Sequence, residues 1–310
     1  MARGGQVDED EATEPRRRPS RRSVLIAGAS GLGIAAVAAG TATGVLPVSE
    51  ALQRALGVAS SSPASQIGVA KVERVWSRYR NRMVDLVILL PSKSPPRNLP
   101  VSLLLHGLHG RARTAAPTGT LAELASQVAR KRVQPYGFVA VDGGDNYWHE
   151  NVPGDDPMGM LLEEVPQWLR ERGLGGVDGM PFACTGMSMG GFGALLYARR
   201  RAERRQPVGA LALLAPALIL SWTEMAKRHT FRDEADWASM DPLRHLEATA
   251  GIPTALWCGT EDAFIHGARR FIAAVKPEIG YTARGKHGDS FNRTVVPSMV
   301  SFLGRHRPSA

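Results

Sequence analysis

The run Phe182-Ala183-Cys184-Thr185-Gly186-Met187-Ser188-Met189-Gly190-Gly191 fits the pattern G-x-S-x-G, between a short apolar stretch and a Gly/Ala-rich helix start. A strand that turns sharply into a helix forces the central residue into strained backbone, and the flanking glycines leave room for the turn. Ser188 then projects its hydroxyl above the sheet, where the N–H of Met189 faces the same point. A serine hydroxyl is a weak nucleophile at neutral pH; it needs a base, and the base needs an orienting acid. Both candidates stand downstream. The apolar run Thr254–Cys258 ends in Gly259-Thr260-Glu261-Asp262, which makes Asp262 the candidate acid; spacing alone leaves the adjacent Glu261 open. The extended run Tyr281-Thr282-Ala283 leads to Gly285-Lys286-His287, and His287 is the candidate base. A lone histidine here would read as a solvated loop residue, and Asp289 does read so. The order serine, acid, histidine favours catalysis for His287.

Such a set performs acyl transfer through a tetrahedral intermediate, whose oxyanion needs hydrogen-bond donors. One is the N–H of Met189. The other is expected after an earlier strand: Val101–Leu105 runs into His106-Gly107-Leu108-His109-Gly110, and Leu108 would supply its N–H. His106 and His109 suggest a metal, but carboxylate or thiolate partners at useful spacing are missing. Neither metal nor organic cofactor is expected.

These motifs need a scaffold. Val69 to Arg78 and Asn81 to Leu90 read as an antiparallel pair. Apolar strands at Val101–Leu105, Phe138–Val141, Phe182–Thr185, Ala210–Leu214, Thr254–Cys258 and Glu278–Ala283 alternate with helical patterns. The helices are read at Leu121–Lys131, Gly159–Arg172, Gly190–Arg205 and around Pro297–Gly304. This alternation predicts an α/β fold, a mostly parallel sheet covered by helices on both faces. Cys184 and Cys258 fall on strands with another strand expected between them, about 10 Å apart, too far for a disulfide. Two free buried thiols are expected.

The motif set resembles the esterase D branch of the α/β-hydrolases, which includes S-formylglutathione hydrolase-like esterases and secreted mycolyltransferases. The resemblance rests on Leu105-His106-Gly107-Leu108, Gly186-Met187-Ser188-Met189-Gly190-Gly191, Gly259-Thr260-Glu261-Asp262-Ala263-Phe264, and Gly285-Lys286-His287 with Phe291; it covers about residues 70–305. It implies an α/β-hydrolase domain over 68–310 with a short cap insertion. The G-x-x-D-x-F pattern of the esterases is met by Gly259, Asp262 and Phe264, which selects Asp262 over Glu261. The mycolyltransferases use a glutamate there, so the resemblance favours ester hydrolysis over acyl transfer to a sugar or lipid alcohol.

Ser20-Arg21-Arg22-Ser23-Val24-Leu25-Ile26 carries a twin arginine before a weakly apolar run to about Leu46. This reads as a Tat export signal over residues 1–47, cleaved or kept as a membrane anchor, with a flexible connector over 48–67. Export by the Tat machinery implies a secreted, periplasmic or envelope-associated protein. The chain has a net charge of +9, with six arginines facing five acids in the signal. Arg199–Arg205 and Arg130–Arg132 end helices, where positive charge suits the dipole; a loose attraction to anionic lipid or envelope polymer is the other reading. Aromatic residues are not interleaved with these charges, so nucleic acid is not an expected partner.

Specificity is read from two loops. Asp142-Gly143-Gly144-Asp145-Asn146-Tyr147-Trp148-His149 follows a strand end and should sit on the site's rim. The insertion from Ala217 to Gly251 carries Trp222, Met225, Phe231 and Trp237. These aromatics either line an acyl pocket or pack the insertion onto the sheet. His106, Asn146, Tyr147, Trp148 and Trp222 are the residues expected to contact substrate. Asp155 or Asp156 should cap the helix that follows. The expectation is an exported serine carboxylesterase. Its rivals are an acyltransferase and a non-catalytic envelope-binding protein; the latter would be expected to have lost one of Ser188, Asp262 and His287.

Overall fold

Strands β3 (Val101–Leu105), β4 (Gly137–Val141) and β6 (Ala210–Leu214) are buried along their whole length, as short apolar runs covered on both faces must be. They belong to an eight-stranded sheet in a computed structural model that describes residues 68–309. The signal and connector read from the sequence lie outside the described residues. The other strands are β1 (Val69–Ser77), β2 (Arg82–Leu90), β5 (Ala183–Met187), β7 (Thr254–Gly259) and β8 (Ile279–Ala283). The sheet order is β1-β2-β4-β3-β5-β6-β7-β8. β1 with β2 and β2 with β4 are antiparallel; the remaining neighbours are parallel.

Alternation along the strands divides the core in two. Val101, Leu103, Leu105, Val139 and Val141 face one apolar cluster, with α3 (Met189–Glu203) and α6 (Ile265–Val275) packed on it. Leu104, Phe138 and Ala140 face the other, closed by α1 (Thr120–Ala129) and α7 (Asp289–Arg305). Helices therefore cover both faces, and the chain has the α/β-hydrolase architecture. Strand β6 separates β5 from β7, and Cys184 and Cys258 are buried and free.

The segment read as one amphipathic helix from Gly159 to Arg172 is composite. It begins as a short turn, Pro157–Gly159, capped by Asp156, whose carboxylate accepts from the Gly159 N–H at 2.6 Å. It widens into a π-helical stretch, Met160–Glu164, before α2 (Val165–Glu171). Pro166 has no N–H to give the regular ladder, and the Val165 N–H reaches back five residues to the Met160 carbonyl. The wide turn places Glu164 under the β1–β2 hairpin, where it accepts from Ser77 Oγ (2.5 Å) and the Arg78 N–H (2.9 Å).

The insertion carries two short helices, α4 (Trp222–Ala226) and α5 (Glu234–Met240). Met225, Phe231 and Trp237 are buried in the core cluster. Of the two readings of these three residues, packing is the observed one. The arginines at the end of α3 are tied down: Arg199 to Glu203, Arg200 to Glu150 and Glu203, and Arg204 to Glu163. Arg201 is buried against the Tyr197 hydroxyl at 2.8 Å.

Candidate active site

Ser188 stands between β5 and α3 at φ 57°, ψ −120°, a conformation that side chains rarely adopt. The surrounding contacts hold it there. Its N–H donates to the Leu214 carbonyl on β6 at 3.0 Å, and its carbonyl accepts from the Ala217 N–H at 2.8 Å. Gly190 permits the turn, because a Cβ there would overlap the Leu105 and His106 carbonyls. The Ser188 side chain is thereby presented at the C-terminal edge of the parallel strands, where ligands bind in such sheets.

Two loops from the same edge meet it. The turn after β7 carries Asp262, and the loop after β8 carries His287. They are stitched together by Thr260 N–H to the Ala283 carbonyl (2.8 Å) and Glu261 N–H to the Gly285 carbonyl (2.9 Å). His287 Nε2 lies 2.9 Å from Ser188 Oγ, and its Nδ1 lies 2.7 Å from Asp262 Oδ2. The other Asp262 oxygen accepts from the Phe264 N–H at 2.8 Å. Asp262's side chain is fully buried, whereas His287's is 35% exposed. A buried carboxylate facing Nδ1 holds the proton there and leaves the Nε2 lone pair toward the hydroxyl. The Phe264 ring stands edge-on to the imidazole at 5.1 Å. Glu261 turns outward to Arg284 (2.9 Å), so geometry favours Asp262 as the residue facing histidine.

The loop after β3 lies directly against the serine. A Cβ on Gly107 would stand 3.3 Å from Ser188 Cβ, so the glycine lets the two backbones meet. Met189 is the first residue of α3, and the first N–H groups of a helix have no intrahelical acceptor. The Leu108 N–H donates in none of the loop and turn backbone hydrogen bonds among the described residues. The Met189 N–H thus adjoins Ser188 at the start of the helix, and the Leu108 N–H follows the glycine that abuts the serine.

The residues expected to contact substrate are placed differently. His106 is 1% exposed: its Nδ1 bonds the Gly107 carbonyl at 2.8 Å, and its Nε2 accepts from the Gly143 N–H at 2.9 Å. Burial lowers its pKa, which keeps the ring neutral for that acceptor role. Trp148 is fully buried against this ring and donates its indole N–H to the His106 carbonyl at 3.2 Å. Tyr147 is 1% exposed and packs edge-on to Phe192. These three placements correct the expectation of substrate contact: the loop after β4 folds inward because Tyr147 and Trp148 gain more from burial than from the rim. His149 is buried too, bonded to the Thr230 carbonyl at 2.8 Å and stacked on Phe231. Asn146 is 9% exposed, with its Oδ1 unpartnered among the described residues. Trp222 is half-buried and stacked on Trp237. His109, which with His106 suggests a metal in the sequence, bonds the Asp145 carboxylate of the β4 loop, and no spacing rule joins residues so far apart.

The family model described as "Putative esterase" matches residues 77–272. No curated protein matches. Among solved structures, the chain is similar to an S-formylglutathione hydrolase from Agrobacterium tumefaciens, at 19% identity and TM-score 0.61, over 79% of this chain and 99% of that one. A ferulic acid esterase aligns at 15% identity and TM-score 0.60, over 78% and 99%. The thermophilic carboxylesterase EstE1, cloned from a metagenomic library, aligns at 14% identity and TM-score 0.59, over 84% and 95%. At these identities the structural likeness speaks to fold.

Proposed function

This chain belongs to the Esterase family, and on that premise we propose that it is an exported serine carboxylesterase acting through Ser188, His287 and Asp262. The supporting observation is the unbroken chain of contacts from Asp262 through His287 to Ser188, at 2.7 and 2.9 Å. His287 takes the hydroxyl proton at Nε2 as Ser188 attacks the ester carbonyl. Asp262 stabilises the imidazolium that forms. The N–H groups of Leu108 and Met189 hold the oxyanion. Collapse of the intermediate passes the proton to the leaving alcohol and leaves an acyl-enzyme, which water clears by the same route in reverse. Every group used belongs to the protein, so the reaction asks for no cofactor. The twin arginine at Arg21-Arg22 supports passage through the Tat machinery to the cell envelope or beyond.

The test is hydrolysis of p-nitrophenyl esters from acetate to palmitate by the protein and by its Ser188→Ala variant. Release of p-nitrophenol that disappears in the variant, with far-UV and near-UV spectra unchanged, is the expected result. Equal rates for the two proteins, or no hydrolysis at any chain length, would remove the proposal.

A further inference from the structure

Between the insertion and α6 lies a cleft of about 300 Å³ that none of Ser188, His287 and Asp262 lines. That volume is at the lower end of the range for small-molecule sites. The segment after β6 forms one side. It is held at Ala217, whose N–H bonds the Ser188 carbonyl, and it meets α6 at Gly267, where a Cβ would overlap the Leu218 carbonyl. Beyond that contact Ile219 stays buried, whereas Leu220 is 48% exposed. The insertion supplies the turn Pro242–Arg244, fixed by Asp241, whose Oδ1 accepts from the Leu243 N–H at 3.0 Å. Ile219, Leu220 and Leu243 make the lining apolar, and the Trp237 ring completes it from the core side.

The polar part of the lining is rich in donors and poor in acceptors. Arg244 and Arg270 bring two guanidinium groups, against the single carboxylate of Asp241. One Asp241 oxygen is taken by the Leu243 N–H, and the other lies 3.6 Å from Arg244 Nε. Arg244 also stacks over the Trp237 ring at 5.6 Å, while Arg270 is exposed on α6. Trp237 is 2% exposed, and its indole N–H has no acceptor among the described residues. Buried donors are rarely left so. The cleft is therefore positive as well as apolar, and a guanidinium fork matches a carboxylate. At about 30 Å³ for each water-sized group, it holds about ten non-hydrogen atoms, the size of octanoate.

We infer that this cleft binds a small carboxylate with an apolar body: the body lies against Ile219, Leu220 and Leu243, and the carboxylate meets Arg270 and Arg244. The site asks nothing of the chemistry proposed for Ser188. Octanoate titrated into the protein by calorimetry should bind saturably, with a Kd of about 1 mM or below. Octylamine, the same chain with the opposite charge, should bind at least about tenfold more weakly. Arg270→Gln should weaken octanoate about tenfold without weakening octylamine. Leu220→Glu places a like charge at an exposed position, and should remove octanoate binding while near-UV spectra stay unchanged. Absence of saturation with octanoate, octylamine binding as tightly, or an unchanged octanoate affinity in either variant would overturn the inference. A protein that binds octanoate in this pattern but cleaves no ester would fail the functional reading alone. One that cleaves esters without binding octanoate would fail this inference alone.

Discussion

Replacing Asp262 by Asn changes no volume but reverses the hydrogen-bond polarity around His287. The two carboxylate oxygens accept from two donors, the Phe264 N–H at 2.8 Å and His287 Nδ1 at 2.7 Å. An asparagine can satisfy both only by keeping its oxygen on Phe264 and turning its NH2 toward Nδ1. That arrangement moves the histidine proton to Nε2, facing Ser188 Oγ, where a lone pair is needed. The opposite rotamer keeps the useful tautomer but sets NH2 against a buried N–H, at a cost of about 1–3 kcal/mol. With RT about 0.6 kcal/mol, the active arrangement then falls to between about one molecule in six and about one in 150. The imidazolium also loses the carboxylate bonded to it, and a buried charge pair is worth several kcal/mol. Together these give a fall in kcat of about 10⁴, close to 5 kcal/mol, the size known for this substitution in serine proteases. Steady-state hydrolysis of a p-nitrophenyl ester measures it, with Glu261→Gln as the control expected to stay within about twofold. A loss below tenfold in Asp262→Asn would refute the tautomer argument.

Gly193→Ala should destabilise the protein although alanine is the better helix former: its Cβ would stand 2.5 Å from the Trp148 ring. Overpacking costs about 1–3 kcal/mol against about 1 gained from propensity, and urea denaturation gives the sign. The two thiols should be silent to Ellman's reagent in the native protein and appear together on unfolding, since burial pushes Cys184 far up and Cys258 up to about 12. A reducing agent should leave Tm unchanged; a drop would reveal a disulfide. Burial lowers the pKa of His149 and of His106 from the ordinary 6.5. The unfolded chain then binds more protons than the native one once pH falls through about 6.5, so stability falls toward acid. Urea titrations at pH 8 and pH 5 should show this loss, and His149→Gln should reduce it; an unchanged slope would mean that His149 is not the group involved.

Residues one to four apart were read well from the sequence. The strands needed only apolar runs and turn residues, and the helix cap was narrowed to Asp155 or Asp156 by their place before Pro157; the structure selects Asp156. The candidate serine, acid and histidine were visible because each follows a strand and all follow in order. Facing relations between loops were not visible. The aromatic run Tyr147-Trp148 reads equally as rim or core until His106 is known to lie beside it. Asp145 looks like any loop acid until β4 is placed next to β3. Pro166 signals an irregular helix, but whether it kinks, ends or widens depends on what packs there; here Glu164 is needed beneath the hairpin.

The proposed path from Asp262 through His287 to Ser188 also constrains how the molecule is made. His287 is 25 residues from Asp262 and 99 from Ser188. The connection runs through parallel pairings of β5 with β6, β6 with β7 and β7 with β8, each closing a long loop before any contact rewards it. Such pairings form slowly, and no fragment ending before β8 contains all three groups. Recovery of activity during refolding is therefore a clock for the last strand to dock, and should lag behind probes that see the β1–β2 hairpin.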